Sequence, residues 1–123
     1  MIKVLIKCSS RYPIERPRIR LLIKKILGDQ GENKDIEVSL AFVGDRKMKE
    51  LNKKYRQLEE TTDVLSFSLE KDNFPDKVLR LGDIVISYPQ ARKQAGENNL
   101  TVDQEIDRLV EHGLLSLLGL HKS

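Results

Sequence analysis

The sequence predicts a single α+β domain, with one mixed four-stranded sheet covered by helices and a buried C-terminal helix carrying the candidate site. Three observations predict it. Segments of period two and of period 3.6 interleave in the order β-α-β-α-β-β-α-α, with no repeat, linker or low-complexity stretch. The length of 123 residues suits one domain with one core, so residues 1–123 read as one unit. The last helix changes from amphipathic to apolar on every side, the pattern of a helix that runs under the rest of the fold.

Each element has a local reason. "IKVLIKC" alternates apolar and polar residues and reads as a first strand. In "RPRIRLLIKKILG", Ile19, Leu22, Ile23, Ile26 and Leu27 recur at helical spacing, Pro17 suits the first turn and Gly28 a C-terminal cap. "GDQGENKD" is a loop by composition, and "IEVSLAFV" alternates again as a second strand. "GDRKMKELNKKYR" reads as a helix capped by Asp45, with Met48, Leu51, Asn52 and Tyr55 on one side. "TTDVLSFSLE" gives a third strand, with Val64, Ser66 and Ser68 on one face and Leu65, Phe67 and Leu69 on the other. A polar loop around Pro75 leads to a fourth strand, "LGDIVISY", opened by a turn at Gly82 and Asp83. "PQARKQAGENN" is a helix begun at Pro89, and "TVDQEIDRLVEHGLLSLLG" is the last, with Thr101 and Gln104 spaced as a capping box.

Composition narrows the function classes. Hydrophobic residues make up 39% and charged residues 33%, which fits a folded globular chain and not a disordered one. No apolar run is long enough for a membrane span, and the N-terminus lacks the long apolar region of a signal peptide. A cytoplasmic protein, or an organellar matrix protein in a eukaryote, is the expectation. The single cysteine, Cys8, cannot form an internal disulfide and reads as a small strand residue rather than a nucleophile. The net charge of +3 permits a polyanionic partner without requiring one. Six cations crowd "RYPIERPRIRLLIKK" against Glu15 alone, so Arg18, Arg20 and Lys24 on this helix are candidate phosphate contacts. The alternative is a solvated face.

The candidate site lies at the end of the chain, in "VEHGLLSLLGLHKS". At 100° per residue, Ile106, Leu109, Val110, Gly113 and Leu117 form an apolar stripe, and Glu105, Arg108, His112 and Ser116 form a polar one beside it. Beyond His112, Leu114, Leu115, Leu117 and Leu118 surround the helix, so the polar stripe is expected to run from solvent into the protein. Residues four apart on a helix project side by side, so His112 and Ser116 can address one point. Two histidines at that spacing would make the two-ligand helix of a zinc site, but serine is a poor zinc ligand beside imidazole. From these residues alone a metal site and a merely hydrogen-bonded or exposed histidine both stay open.

"NKKYRQLEETTDVLSFSLE", "LRLGDIVISYPQARKQA" and "EHGLLSLLGLHKS" in this order resemble the YbeY family of single-domain endoribonucleases, metal-dependent enzymes implicated in ribosomal RNA maturation and ribosome quality control. The resemblance covers nearly the whole chain. It implies three metal-binding histidines. The first matches His112, the second falls on Ser116, and the third falls on Lys122, with His121 one residue early unless the preceding loop is shorter by one. It also implies a cleft arginine after an N-x-x-Y pair, which is Arg56, and a further C-terminal tail that is absent here.

The resemblance therefore implies a zinc-dependent hydrolase of RNA phosphodiesters that is specific for single strands. Arg56 and His112 would be its catalytic residues, His112 and His121 its metal ligands, and ribosomal RNA or the ribosome its partner. Ser116 and Lys122 at ligand positions imply weak zinc binding, since a full set of strong ligands is what gives a site its roughly 10–16 kcal/mol. The alternative is a protein of the same fold that has lost chemistry and binds ribosomal RNA or a ribosomal protein. Asp63 reads as a structural carboxylate at a strand end, and Tyr55 and Tyr88 as core or rim residues with base stacking as the alternative.

Overall fold

The fold is that of a computed structural model describing residues 1–9, 11–28, 35–69 and 78–119. The elements follow the expected order: β1 (Ile2–Cys8), α1 (Arg16–Leu27), β2 (Ile36–Val43), α2 (Asp45–Arg56), β3 (Val64–Ser68), β4 (Leu79–Ser87), α3 (Tyr88–Glu97) and α4 (Val102–Leu117). The loop expected after Gly28, residues 29–34, and the loop around Pro75 lie outside the described residues, as do His121 and Lys122.

One mixed sheet runs β1-β2-β4-β3. β1, β2 and β4 are parallel, and β3 returns antiparallel along the edge of β4. The period-two alternation sends side chains to two faces. Ile36, Val38, Leu40 and Phe42 of β2, with Ile84 and Ile86 of β4, pack against Ile19, Ile23 and Leu27 of α1 and Ile106, Leu109, Val110 and Leu114 of α4. On the other face, Leu65, Phe67 and Val85 pack against Met48 and Leu51 of α2. The two faces of β3 are thus divided as the alternation predicts. Leu114 and Leu117 are both buried, so the all-apolar end of α4 does lie under the sheet.

The capping box at α4 forms: Gln104 N donates to Thr101 Oγ1 at 3.1 Å, and Thr101 N donates to Gln104 Oε1 at 2.9 Å. Asp45 is not the cap of α2. Gly44 holds that position and Asp45 is the first helical residue. Its carboxylate instead accepts from Ser87 Oγ at 2.9 Å, Gln90 Nε2 at 3.1 Å and Thr61 Oγ1 at 3.3 Å, joining α2 to the start of α3 and the approach to β3.

Gly82 and Asp83 do not open β4 through a turn, because the strand begins at Leu79. The register passes from Glu37↔Arg80 to Val38↔Gly82, leaving Leu81 as the extra residue of a bulge. Gly82 sits at φ +135, where a Cβ would lie 2.1 Å from the Phe67 carbonyl oxygen, so glycine is required there by both backbone and space.

The cations of α1 are largely taken up by the fold. Arg18 is paired with Asp107, with Asp103 at 3.3 Å and with Glu15 at 3.8 Å, tying α1 to α4. Arg20 Nε donates to the Val4 carbonyl at 3.5 Å. Arg18 is therefore an architectural residue and not a candidate phosphate contact.

Candidate functional site

β3 is an edge strand, so residues from both faces of the sheet can meet around it. α2 ends beside it at Arg56, where Gln57 takes the left-handed conformation (φ 59) and turns the chain back. Asn52, fully buried one helical turn before Arg56, donates from Nδ2 to the Glu60 carbonyl at 2.8 Å and fixes that return. Asp63 then caps the start of β3. Its Oδ1 accepts from Val64 N at 2.8 Å, the structural role expected of it.

From the other side comes α4. Gly113 lets this helix lie close on the sheet, since a Cβ there would meet Ile84 Cγ2 at 2.8 Å. Ser66 Oγ donates to the Gly113 carbonyl at 3.4 Å and links β3 to α4. The close approach turns His112 and Ser116, one helical turn apart, toward β3.

The result is a cavity of about 210 Å³ lined by Arg56, Val64, Leu65, Ser66, His112 and Ser116. Arg56 and His112 are 56 positions apart in sequence and come from different helices on different faces of the sheet. Arg56 is exposed while His112 and Ser116 are half-buried, so a guanidinium sits at the rim of a cavity that holds an imidazole and two hydroxyls. A planar fork with no carboxylate partner among the described residues is suited to a phosphate.

The stripe leading to this cavity departs from the expected solvent-to-interior run at its first residue. Glu105, at its start, is fully buried, whereas Arg108 is exposed and His112 half-buried. Burial of Glu105 is balanced by Arg108, which contacts both its oxygens, the Nη2–Oε2 bond being 3.2 Å. The bond to Glu105 holds the Arg108 guanidinium above its usual range. The stripe therefore carries an ion pair within α4 at one end and presents His112 and Ser116 at the other.

Residues 6–122 match the family model described as Endoribonuclease YbeY. The chain belongs to this family. An Endoribonuclease YbeY of Dehalococcoides mccartyi is 35% identical over 130 aligned positions, covering 96% of this chain and 81% of that protein. One from Thermodesulfovibrio yellowstonii is 43% identical, covering 93% and 76%. The solution structure of TM1509 from Thermotoga maritima is similar at a TM-score of 0.62 and 26% identity, over 95% of this chain and 71% of that one.

The sequence singled out Arg56, His112 and Ser116, and the fold brings these three together. His121 and Lys122 lie outside the described residues. The donors that the described part of the cavity offers a metal are one imidazole and the hydroxyls of Ser116 and Ser66. That set falls short of the three protein ligands of a catalytic zinc.

Two features escaped the sequence reading. Ser66 lies in the cavity wall although "TTDVLSF" reads as mostly architecture. The available signal was a run of hydroxyls, Ser66 and Ser68, on the strand face that meets a helix. Asn52 reads only as a helix-face residue, yet it positions Arg56 through the loop it holds. Tyr88 is buried and stacked on Tyr12 with ring centroids 4.7 Å apart, so it is core. Tyr55 is a rim residue, 54% exposed and edge-on to Phe67. Burial pushes the Cys8 thiol up, against the pull of Arg16, which agrees with a strand residue and not a nucleophile. No helix among the described residues is long and apolar enough to cross a membrane.

Proposed function

We propose that this chain is an endoribonuclease that cuts single-stranded RNA in the cavity between α2, β3 and α4, acting in the cytoplasm on ribosomal RNA during its maturation and in ribosome quality control. The observation that carries the proposal is the convergence of Arg56 and His112 on one cavity, in a chain whose relatives are named as endoribonucleases YbeY.

The roles follow from chemistry. Arg56, at the rim, binds the non-bridging oxygens of the scissile phosphate with two parallel N–H donors and stabilises the charge that grows on them. Ser116 and Ser66 offer hydroxyls that orient water beside it. His112 is the imidazole of the site, and with His121 it would supply the ligands for a weakly held zinc ion. Zinc, when bound, supplies a water of lowered pKa.

A second reading has an observation of its own. Ser116 puts a hydroxyl one turn from His112, where an imidazole would complete a ligand pair, so the same cavity suits a protein that binds RNA without cutting it. Zinc titration separates the readings. The parent is expected to bind zinc weakly and to cut a fluorogenic single-stranded RNA when zinc is added, with chelator abolishing the cut. Ser116→His should bind zinc at least tenfold more tightly, because the added ligand is held on a rigid helix. Equal affinity in parent and variant would show that the α4 side chains do not converge on a metal. Tighter zinc with no cleavage by either protein would leave the binding reading.

A further inference from the structure

Four cations of α2, Arg46, Lys49, Lys53 and Arg56, are spaced i, i+3, i+7 and i+10. At 100° per residue they fall within an arc of about 80°, forming one stripe about 15 Å long. Among the described residues no carboxylate pairs with Arg46, Lys49 or Arg56. Lys53 meets Glu59 at 3.3 Å, a surface pair with both side chains mostly exposed, which contributes little and is readily exchanged.

The two ends of the stripe are different. At its C-terminal end Arg56 enters the cavity that holds His112. At its N-terminal end Arg46 lines an open crevice of about 450 Å³ with Arg11 and Lys47, where Lys47 is also 3.9 Å from Glu50. That crevice lies past the C-terminal ends of the parallel strands β1 and β2. There the chain departs to opposite faces of the sheet, to α1 after β1 and to α2 after β2, which is where open sheets bind anionic ligands.

Resting on the reading of the cavity as an RNA-cutting site, we infer that the exposed cationic stripe of α2 is the track for the RNA backbone, running from the crevice at the ends of β1 and β2 to the scissile phosphate at Arg56. A stripe of about 15 Å is long enough to meet several successive phosphates of one strand. The ligand class is a single-stranded polyanion with regularly spaced phosphates, bound through its backbone and without base readout.

Binding of a labelled twelve-nucleotide oligouridylate, in chelator so that nothing is cut, tests the inference across a salt series. Arg46, Lys49 and Lys53 are changed together to Gln, leaving Arg56 in place. The comparison variant carries Arg20, Lys24 and Lys25 of α1 changed to Gln, an equal loss of charge. The α2 variant should bind at least tenfold more weakly at moderate salt. The slope of log K against log salt should flatten by about two, at about 0.7 per lost phosphate contact. The α1 variant should keep the parent slope. Equal flattening by both variants would overturn the track in favour of net charge alone. An unchanged slope in the α2 variant, or a parent that does not bind the oligonucleotide, would also overturn it. Failure of the cavity reading is seen separately, as cleavage that survives His112→Ala while the α2 variant still loses affinity.

Discussion

α1 and α2 are both twelve-residue helices rich in cations, and they do opposite things with them. In α1, Arg18 is held by three carboxylates, two of them on α4, and Arg20 reaches a carbonyl of β1. Arg16 Nη2 likewise donates to the Cys8 carbonyl at 3.5 Å. In α2 the only ion pairs among the described residues are Lys47–Glu50 and Lys53–Glu59, both on the surface. One helix uses its charge to fix its place on the domain, and the other keeps its charge outward and ends in the cavity with His112. Charge density along a sequence does not separate these cases. What separates them is whether acidic residues from a distant part of the chain arrive opposite.

The largest expected difference between the helices is at their arginines. Arg56→Ala should lower turnover on single-stranded RNA by about 10²–10³-fold, the size of effect seen when one charge-stabilising donor is removed. Its melting temperature should stay within a degree or two of the parent, because an exposed arginine contributes little to folding. Equal losses of activity and stability would place Arg56 with α1 as an architectural residue. Arg18→Ala should do the reverse. It leaves Asp103 and Asp107 one turn apart on α4 without their shared cation, and should cost about 1–3 kcal/mol. Chemical denaturation measures this, and turnover by the folded variant at 25 °C should be unchanged. An Arg18→Ala protein as stable as the parent would mean that the bridge between α1 and α4 is not a strong one.

Smaller effects sharpen the contrast. Lys24 and Lys25 stand exposed in the last turn of α1, where they complement the helix dipole. Changing both to Gln should cost less than about 0.5 kcal/mol in a denaturation series. A larger loss would show that α1 relies on surface charge as well as on its buried bridge.

Much of the fold is legible in the sequence because local chemistry and global packing agree. The alternation in "IEVSLAFV" becomes the strict burial alternation of β2, and Thr101 with Gln104 forms the capping box that starts α4. The misreadings occur where a distant partner decides. Asp45 looks like a helix cap, but Ser87 and Gln90 lie some 40 residues on and bond its carboxylate. Gly82 and Asp83 look like a turn, but Gly82 is the point of a bulge against Phe67 and Asp83 continues the strand. Glu105 looks like the solvent end of a polar stripe, yet it is buried beneath Arg108.

The site was legible in the same uneven way. His112 and Ser116 could be paired by helical spacing alone. Arg56 could be joined to them only through resemblance, because nothing local in "NKKYR" says that α2 ends across an edge strand from α4. Ser66 could not be separated from its neighbours, since its place in the cavity depends on the close approach that Gly113 allows.

Single-turnover cleavage of a short single-stranded RNA by parent and His112→Ala, with zinc present, tests whether this cavity is where RNA is cut. The two proteins should have matched melting temperatures and matched affinity for the RNA in chelator. The parent is expected to cut at internal sites, and His112→Ala to lose this cleavage while still binding the strand. Internal cleavage by His112→Ala at the parent rate would contradict it, and would place the chemistry somewhere other than the meeting of α2, β3 and α4.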